Sequence, residues 1–157
     1  MSSRRLSSQF LRLLAVVSFG APACGSTPKE PGGQLPPILV AGSYTGTRTW
    51  VENSCGPNTT LNPLAITVTH TRGSASATIN DGVASFPGTL MGDGRYAIVP
   101  VAATLGDGTP FTMTLSGAFT RTTLELRQAV TENRAAGSCQ YVIDWKTTKV
   151  GAPNDIP

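Results

Sequence analysis

The sequence PFTMTLSGAFTRTTLELRQAV, residues 110–130, decides the fold class of this chain. From Phe111 to Ser116 apolar residues alternate with threonine or serine. In the second half of the stretch Leu124 and Leu126 alternate with Glu125 and Arg127. A period of two is typical of β-strands that have one buried face and one solvated face. The stretch therefore predicts two neighbouring strands.

The same alternation continues through most of the chain from Ile38 onward. It predicts eight strands, at residues 41–52, 63–72, 74–80, 83–91, 95–104, 110–120, 122–131 and 139–149. Glycine-containing hairpin turns separate many of them, namely Arg72-Gly73, Asp81-Gly82, Gly92-Asp93-Gly94 and Gly106-Asp107-Gly108. Charged residues make up only 13% of the chain, and this composition disfavours long surface helices.

Strands with one apolar face each need something to cover that face. Because no helix is predicted, the eight strands satisfy one another best by closing into a small antiparallel up-and-down barrel, which also removes exposed strand edges. The predicted fold class is therefore all-β, with a two-sheet β-sandwich as the alternative. We expect the barrel domain to span residues 38–150 and residues 151–157 to form a flexible tail.

The first 23 residues have the organisation of a secretory signal peptide. Arg4, Arg5 and Arg12 precede an apolar run at residues 13–19, and small residues follow up to Cys24. The run is shorter than the about 20 apolar residues that a membrane-spanning helix needs. We therefore expect the protein to be exported.

Ala23 and Cys24 at the end of this segment resemble the leaders of bacterial lipoproteins. In that family a cysteine after a small residue receives a diacylglycerol and becomes the mature N-terminus. Ala21 and Pro22 depart from the family pattern, so cleavage by the ordinary signal peptidase is the alternative. The resemblance implies lipidation at Cys24 and a membrane anchor. Because Gly25 rather than aspartate follows, it implies the outer membrane, facing the periplasm.

Residues 24–37 combine this cysteine with a segment rich in proline and glycine. The segment has almost nothing to bury, and its four prolines oppose helix formation. We expect a disordered tether that holds the folded domain away from the membrane. The alternative is an unstructured N-terminus without a role.

The charge balance argues against a nucleic-acid partner. The chain has 12 basic and 9 acidic residues, and removal of the leader's three arginines leaves nine of each sign. Binding to nucleic acid or anionic lipid needs a surplus of lysine and arginine. The expected partner is the lipid bilayer, through the Cys24 anchor, and the sequence does not indicate a protein partner.

Cys55 and Cys139 remain as a pair once Cys24 is assigned to lipidation. In an exported domain an even pair is most simply a disulfide, and two free thiols are the alternative. We expect no metal site, because two cysteines and the single His70 lack zinc-ligand spacing. Hairpin chemistry also explains the Asp-Gly turns without calcium.

The stretch Gly42-Ser43-Tyr44-Thr45-Gly46 and the later Trp145 are similar to features of the calycin group, meaning lipocalins and avidin-like barrels. Lipocalins carry Gly-x-Trp in their opening strand, and Tyr44 stands in the position of that tryptophan. The resemblance concerns the architecture of the domain much more than its motifs. It implies a barrel whose interior holds a small apolar molecule.

The sequence offers little for catalysis. It contains no Gly-x-Ser-x-Gly, no phosphate-binding glycine loop and no His-Glu-x-x-His. His70 lies at a strand end, where a rim or surface imidazole is the simpler interpretation, and no two carboxylates are spaced for acid–base work. We therefore expect no catalytic residues, no cofactor and no enzymatic activity.

Two functions remain, and they belong to different classes. The first is a binding module with a small apolar ligand inside the barrel, and its candidate contacts are the aromatic and polar residues assigned to inward faces: Tyr44, Arg48, Trp50, His70, Gln128 and Trp145. The alternative for these residues is an ordinary packed core. The second function is a structural or interaction lipoprotein with a solid barrel that acts through its surface. An internal cavity of a few hundred Å³ would favour the first.

Overall fold

The computed structural model describes residues 37–157. The predicted signal peptide, Cys24 and the predicted tether up to residue 36 lie outside the described residues. Within residues 37–157 no helix is long and apolar enough to span a bilayer. The described chain forms nine strands: β1 (Gly42–Asn53), β2 (Leu64–His70), β3 (Ser76–Asn80), β4 (Ser85–Leu90), β5 (Arg95–Ala97), β6 (Val101–Thr104), β7 (Pro110–Phe119), β8 (Thr123–Arg134) and β9 (Gly137–Lys149).

Eight of these strands close into an antiparallel barrel. Neighbours in sequence pair from β1 to β5 and from β7 to β9, while β1 pairs with β9 and β5 pairs with β7 to complete the circle. The remaining strand, β6, pairs with β7 alone and lies at the end of the sheet. The all-β, up-and-down barrel is confirmed, and the sandwich alternative is not what the chain forms.

The predicted strand at 95–104 is divided in the structure into β5 and β6. Both strands pair with the same side of β7, and the residues between them, Ile98–Pro100, interrupt the ladder. On the opposite side β5 makes only two residue pairs with β4, Thr89 with Ala97 and Leu90 with Tyr96. Beyond these two pairs β4 and β6 diverge, and we refer to the gap between them as the seam.

A proline explains where the seam begins. The N–H of Leu90 bonds to the Ala75 carbonyl just before β3, and the N–H of Met91 bonds to the Arg95 carbonyl of β5. The odd-numbered residues of β4 therefore direct their backbone groups toward β5. Continuing the register places Pro87 opposite Val99. The proline nitrogen has no proton to donate, so the ladder ends there.

The barrel interior is filled by side chains from every barrel strand. Trp145, Tyr44 and Tyr96 are the largest of the fully buried residues. Their rings meet phenylalanines edge to face, with centroids 5.9 Å apart for Phe86 and Trp145 and 6.1 Å apart for Tyr96 and Phe119. Aromatic pairs of this geometry add stability beyond the area that they bury.

Two inward-facing glycines allow strands to cross at close range. Gly46 of β1 lies against the backbone of β9 at Lys146 and Thr147, and Gly117 of β7 lies against β8 in the same way. A Cβ atom at either position would overlap a carbonyl oxygen of the neighbouring strand. These glycines therefore mark bends where the sheet coils to close the barrel.

The first and last segments of the described domain pair with each other over one end of the barrel. Leu39 and Asp155 exchange backbone hydrogen bonds of 2.9 and 3.0 Å, and Asn154 is buried. The Arg72 side chain bonds to both the Pro37 carbonyl and the Asp155 carboxylate. We expected residues 151–157 to be a flexible tail, and this expectation was wrong because backbone pairing and a buried asparagine hold the segment in place.

The opposite end carries the disulfide between Cys55 and Cys139, whose Cα atoms are 5.0 Å apart. It joins the loop after β1 to the first residues of β9, as the sequence predicted. Glu132 is buried beside it and accepts bonds of 2.9 and 2.6 Å from the Arg134 guanidinium. Arg134 also donates to the Cys55 carbonyl at 2.8 Å, so this ion pair buttresses the bridge.

Candidate functional site

The six residues predicted to contact a ligand all face inward or lie partly buried, and they divide into two groups. Tyr44 and His70 lie at the end that the termini cover. Arg48, Trp50, Gln128 and Trp145 lie toward the end that carries the disulfide. The structure therefore does not bring all six into one site.

Trp145 occupies the centre of the second group. Its indole N–H donates to Gln128 Oε1 at 3.2 Å, and the Gln128 amide nitrogen lies 3.2 Å from the Met113 sulfur. The Arg48 guanidinium stacks on the indole with its carbon 4.5 Å from the ring centroid. These three inward residues thus bond to or stack on one another.

Arg48 is also held by Asp81, which follows β3, the second strand from β1 in the sheet. The two side chains form an ion pair of 2.5 Å in which the carboxylate is only 8% exposed. Asp81 comes from the β3–β4 turn, where its other oxygen accepts the N–H groups of Val83 and Ala84. Arg48 Nε is buried without a hydrogen-bond partner. The ion pair links β1 to the β3–β4 turn, and its guanidinium covers the Trp145 indole.

Trp50 lies at the rim of the same end. Its N–H donates to the Thr59 carbonyl at 2.8 Å, and its ring meets Tyr141 edge to face at 5.6 Å. The contact fixes the long loop after β1 against the barrel. Trp50 therefore serves to close this rim in the present structure.

Tyr44 and His70 bond to the segment that covers the other end. The Tyr44 hydroxyl lies 2.7 Å from both the Val40 carbonyl and Asn154 Oδ1, and the Lys149 ammonium lies 4.9 Å from the tyrosine ring centroid. Lys149 also donates to Asn154 Oδ1 at 2.7 Å. Burial raises the pKa of Tyr44, and desolvation lowers the pKa of Lys149.

The hydrogen bonds of His70 define its tautomer. Its Nδ1 accepts the Val40 backbone N–H at 3.3 Å, and its Nε2 faces the Ser74 carbonyl at 3.0 Å. A carbonyl can only accept, so Nε2 is the donor in this contact. His70 thereby ties the covering segment to the β2–β3 turn, and both ring nitrogens are occupied.

A broad cleft lies at the seam and not among the six predicted residues. It has a volume of about 500 Å³. Its walls are mainly apolar: Phe86, Pro87 and Gly88 from β4, and Ile98, Val99, Pro100 and Val101 from the other side, with Ser85 and Thr89 at its margins. Val99 is 81% exposed. The sequence contained a signal for this cleft, because the two prolines interrupt facing strands.

Most carboxylates of the described domain are paired with arginine. Besides the Arg48 and Glu132 pairs, Arg127 donates to both oxygens of Asp144 at 2.8 and 3.0 Å. This guanidinium holds the pKa of the Asp144 carboxyl below its usual range. Within residues 37–157 these carboxylates therefore belong to structural ion pairs.

One group of potential metal ligands occurs within residues 37–157. The ligand atoms of Cys55, Glu132 and Cys139 lie within 4.8 Å of one another. A cysteine binds a metal as a thiolate, and these two sulfurs are bonded to each other. In the oxidised protein the group is therefore a buttressed disulfide.

Searches with the chain found no matching protein-family model, no matching curated protein and no matching solved structure. Function is therefore inferred from the residues and their geometry.

Tyr44 and Tyr96 lead to a prediction for alkaline pH. Burial raises the pKa of each hydroxyl to about 12, whereas tyrosine in an unfolded chain titrates near 10. The stability that each contributes is complete below about pH 10 and is lost as the pH rises through 12. We expect a loss on the order of 2 kcal/mol per tyrosine.

The measurement is the free energy of unfolding in urea across this pH range. Tyr44→Phe and Tyr96→Phe should each flatten the alkaline decline, although both variants start lower at neutral pH because they lose a buried hydrogen bond. If the free energy of unfolding falls as steeply with pH in both variants as in the wild type, the raised pKa values of Tyr44 and Tyr96 are wrong. Lys149 works in the opposite direction, because its lowered pKa makes stability rise with pH over its own titration.

Proposed function

We propose that this protein is an exported, membrane-anchored envelope lipoprotein without enzymatic activity, whose solid barrel acts through its surface. The observation that carries the proposal is the occupied interior. Trp145, Gln128 and Arg48 bond or stack with one another where a ligand would otherwise bind. Such packing resembles an ordinary protein core and not a preformed apolar pocket.

The leader sequence before Cys24 is what supports the membrane anchor in this proposal. A tether from Gly25 to Pro37 would span at most about 45 Å when fully extended. It would reach the barrel at the end that the termini cover. Gly25 after the lipidated cysteine supports an outer-membrane location.

Substituting Cys24→Ser tests the anchor. We expect the variant to leave the membrane fraction and to lose the mass of the attached acyl chains, because stable anchoring requires more than one chain. Ser26→Ala is the matched control, since it alters the same segment and leaves the cysteine in place. If Cys24→Ser still sediments with membranes, or if the wild-type mass shows no acyl chains, the lipoprotein proposal is wrong.

A second candidate function is the binding of a small apolar molecule, and the seam cleft favours it. Its volume and apolar walls suit a fatty-acid-sized ligand, although its position lies between strands and not inside the barrel. Titration with lauric acid followed by thermal unfolding tests this candidate. Binding at the seam should raise the melting temperature of the wild-type protein, and Val101→Asp should abolish that rise.

A further inference from the structure

Among the strands of residues 37–157, β6 pairs on one side only and is therefore an edge strand. It lies at the end of the sheet, and all four of its residues are exposed. Proteins usually guard such edges with lysine, proline, bulges or a covering loop, because unpaired backbone groups recruit other strands. Pro100 guards the start of this edge, and Val101–Thr104 carry no such device.

The backbone alternation shows which groups are free to pair. The Leu105 N–H bonds to the Thr109 carbonyl, so Leu105, Ala103 and Val101 direct their backbone groups toward β7. Ala102 and Thr104 therefore direct their N–H and C=O groups outward, away from the sheet. They form a short ladder of two donors and two acceptors.

The composition of this edge suits pairing with itself. Residues 98–105 read IVPVAATL and contain no charged side chain. A two-fold axis places each side chain near its own copy or a close neighbour, so any charge here would repel its mate. These eight residues therefore carry no charge that would oppose pairing of the strand with its own copy.

We propose that β6 is the interface of a homodimer in which two copies of this chain pair their β6 strands antiparallel about a two-fold axis. The free backbone groups fix the register. Ala102 bonds with Thr104 of the second copy, and Ala103 faces its own counterpart in the non-hydrogen-bonded position. There Cα atoms approach to about 4.5 Å, a distance that a small side chain accommodates.

The proposal specifies the surface through which the barrel acts, and so it rests on the proposed surface function. One strand pair buries less than the roughly 1,600 Å² of a standard interface, so the dimer should be weak in solution. The apolar margin of the seam, Val99 and Val101, adds to the contact. Anchoring both copies in one membrane would raise their effective concentration.

A covalent trap detects even a weak dimer of this register. In the purified full chain, kept in mild detergent, Ala103→Cys should form an intermolecular disulfide under air oxidation. The two Cα atoms of this pair are separated by a distance that a disulfide can span. Ala102→Cys is the matched control: its neighbour across the interface is Thr104, and its own counterpart lies farther away. Non-reducing electrophoresis should show a dimer that is at least about fivefold more abundant for Ala103→Cys.

Ala103→Lys provides the second arm. It places two like charges opposite each other and should weaken wild-type self-association by about tenfold or more in sedimentation velocity. Thr67→Lys, at an exposed position in the middle of the sheet, should leave self-association unchanged. Equal cross-linking at 102 and 103, a wild-type chain that stays monomeric at millimolar concentration, or a ladder of higher oligomers would overturn the proposal. Release by Cys24→Ser is scored separately, so failure of the anchor and failure of the dimer are distinguishable.

Discussion

Replacing Gly117 with alanine should destabilise the domain by at least about 3 kcal/mol, a large part of the stability of a domain of this size. The added Cβ would collide with the Glu125 carbonyl oxygen and the Leu126 Cα, and both are backbone atoms inside the β7–β8 ladder. Flexible side chains could move aside, but a paired backbone cannot move without breaking its hydrogen bonds. Gly46→Ala should have a similar effect at the β1–β9 crossing.

Gly106→Ala is the matched control for both substitutions. Gly106 has open space around its Cβ direction, so its replacement should change stability by less than about 0.5 kcal/mol. Urea unfolding followed by tryptophan fluorescence compares the three variants. If Gly117→Ala and Gly106→Ala unfold at the same urea concentration, the close strand crossing described here is wrong.

Reduction of the Cys55–Cys139 disulfide should produce the second large effect. The bridge closes a loop with a sequence separation of 84 residues. Such a loop corresponds to a chain-entropy contribution of about 4 to 5 kcal/mol, which strain and residual structure in the unfolded chain reduce to about 2 to 4. We expect the melting temperature to fall by roughly 10 °C on reduction or in the Cys55→Ala/Cys139→Ala double variant.

Alkylation supplies the chemical check on this prediction. Without a reductant neither Cys55 nor Cys139 should react, and after reduction both should be labelled. Cys24→Ser should leave the melting temperature unchanged, since Cys24 takes no part in the Cys55–Cys139 bridge. Two reactive thiols in freshly isolated native protein would show that the bridge does not form in the host.

The strand pattern was predictable because it depends on local chemistry. Alternation from Leu64 to His70 and from Phe111 to Leu115, together with Asp-Gly turns, is enough to locate the barrel strands along the chain. The interruption at the seam was not predicted. It depends on which edge of β4 the nitrogen of Pro87 faces, and that orientation follows from register and not from sequence alone.

The C-terminal segment shows a different limit. Residues 151–157 have no alternation and contain two prolines, so local patterns indicated a tail. Asn154 docks because its side chain fits between Tyr44, Lys149 and the Thr120 carbonyl, and two of these three partners lie far from it in sequence. Contacts of this kind between distant residues leave no periodic trace.

The sequence predicted which side chains of the candidate site face inward, but not which groups they contact. Parity correctly assigned Tyr44 and Trp145 to the interior, where both are buried. It could not show that Asp81, a turn residue, reaches back to Arg48, or that Thr59 accepts from Trp50. Inward polar residues that bond to or stack on one another form part of a core, and only three-dimensional contacts reveal those partners.

Native mass spectrometry of the full protein, purified in mild detergent from its own host, tests the central claim that the barrel is solid and acts through its surface. We expect the mass of the chain from Cys24 with its acyl chains, as monomer and dimer, with no small molecule retained. A stoichiometric non-covalent ligand that Trp145→Phe or Arg48→Met releases would place a binding site in the interior and contradict the account.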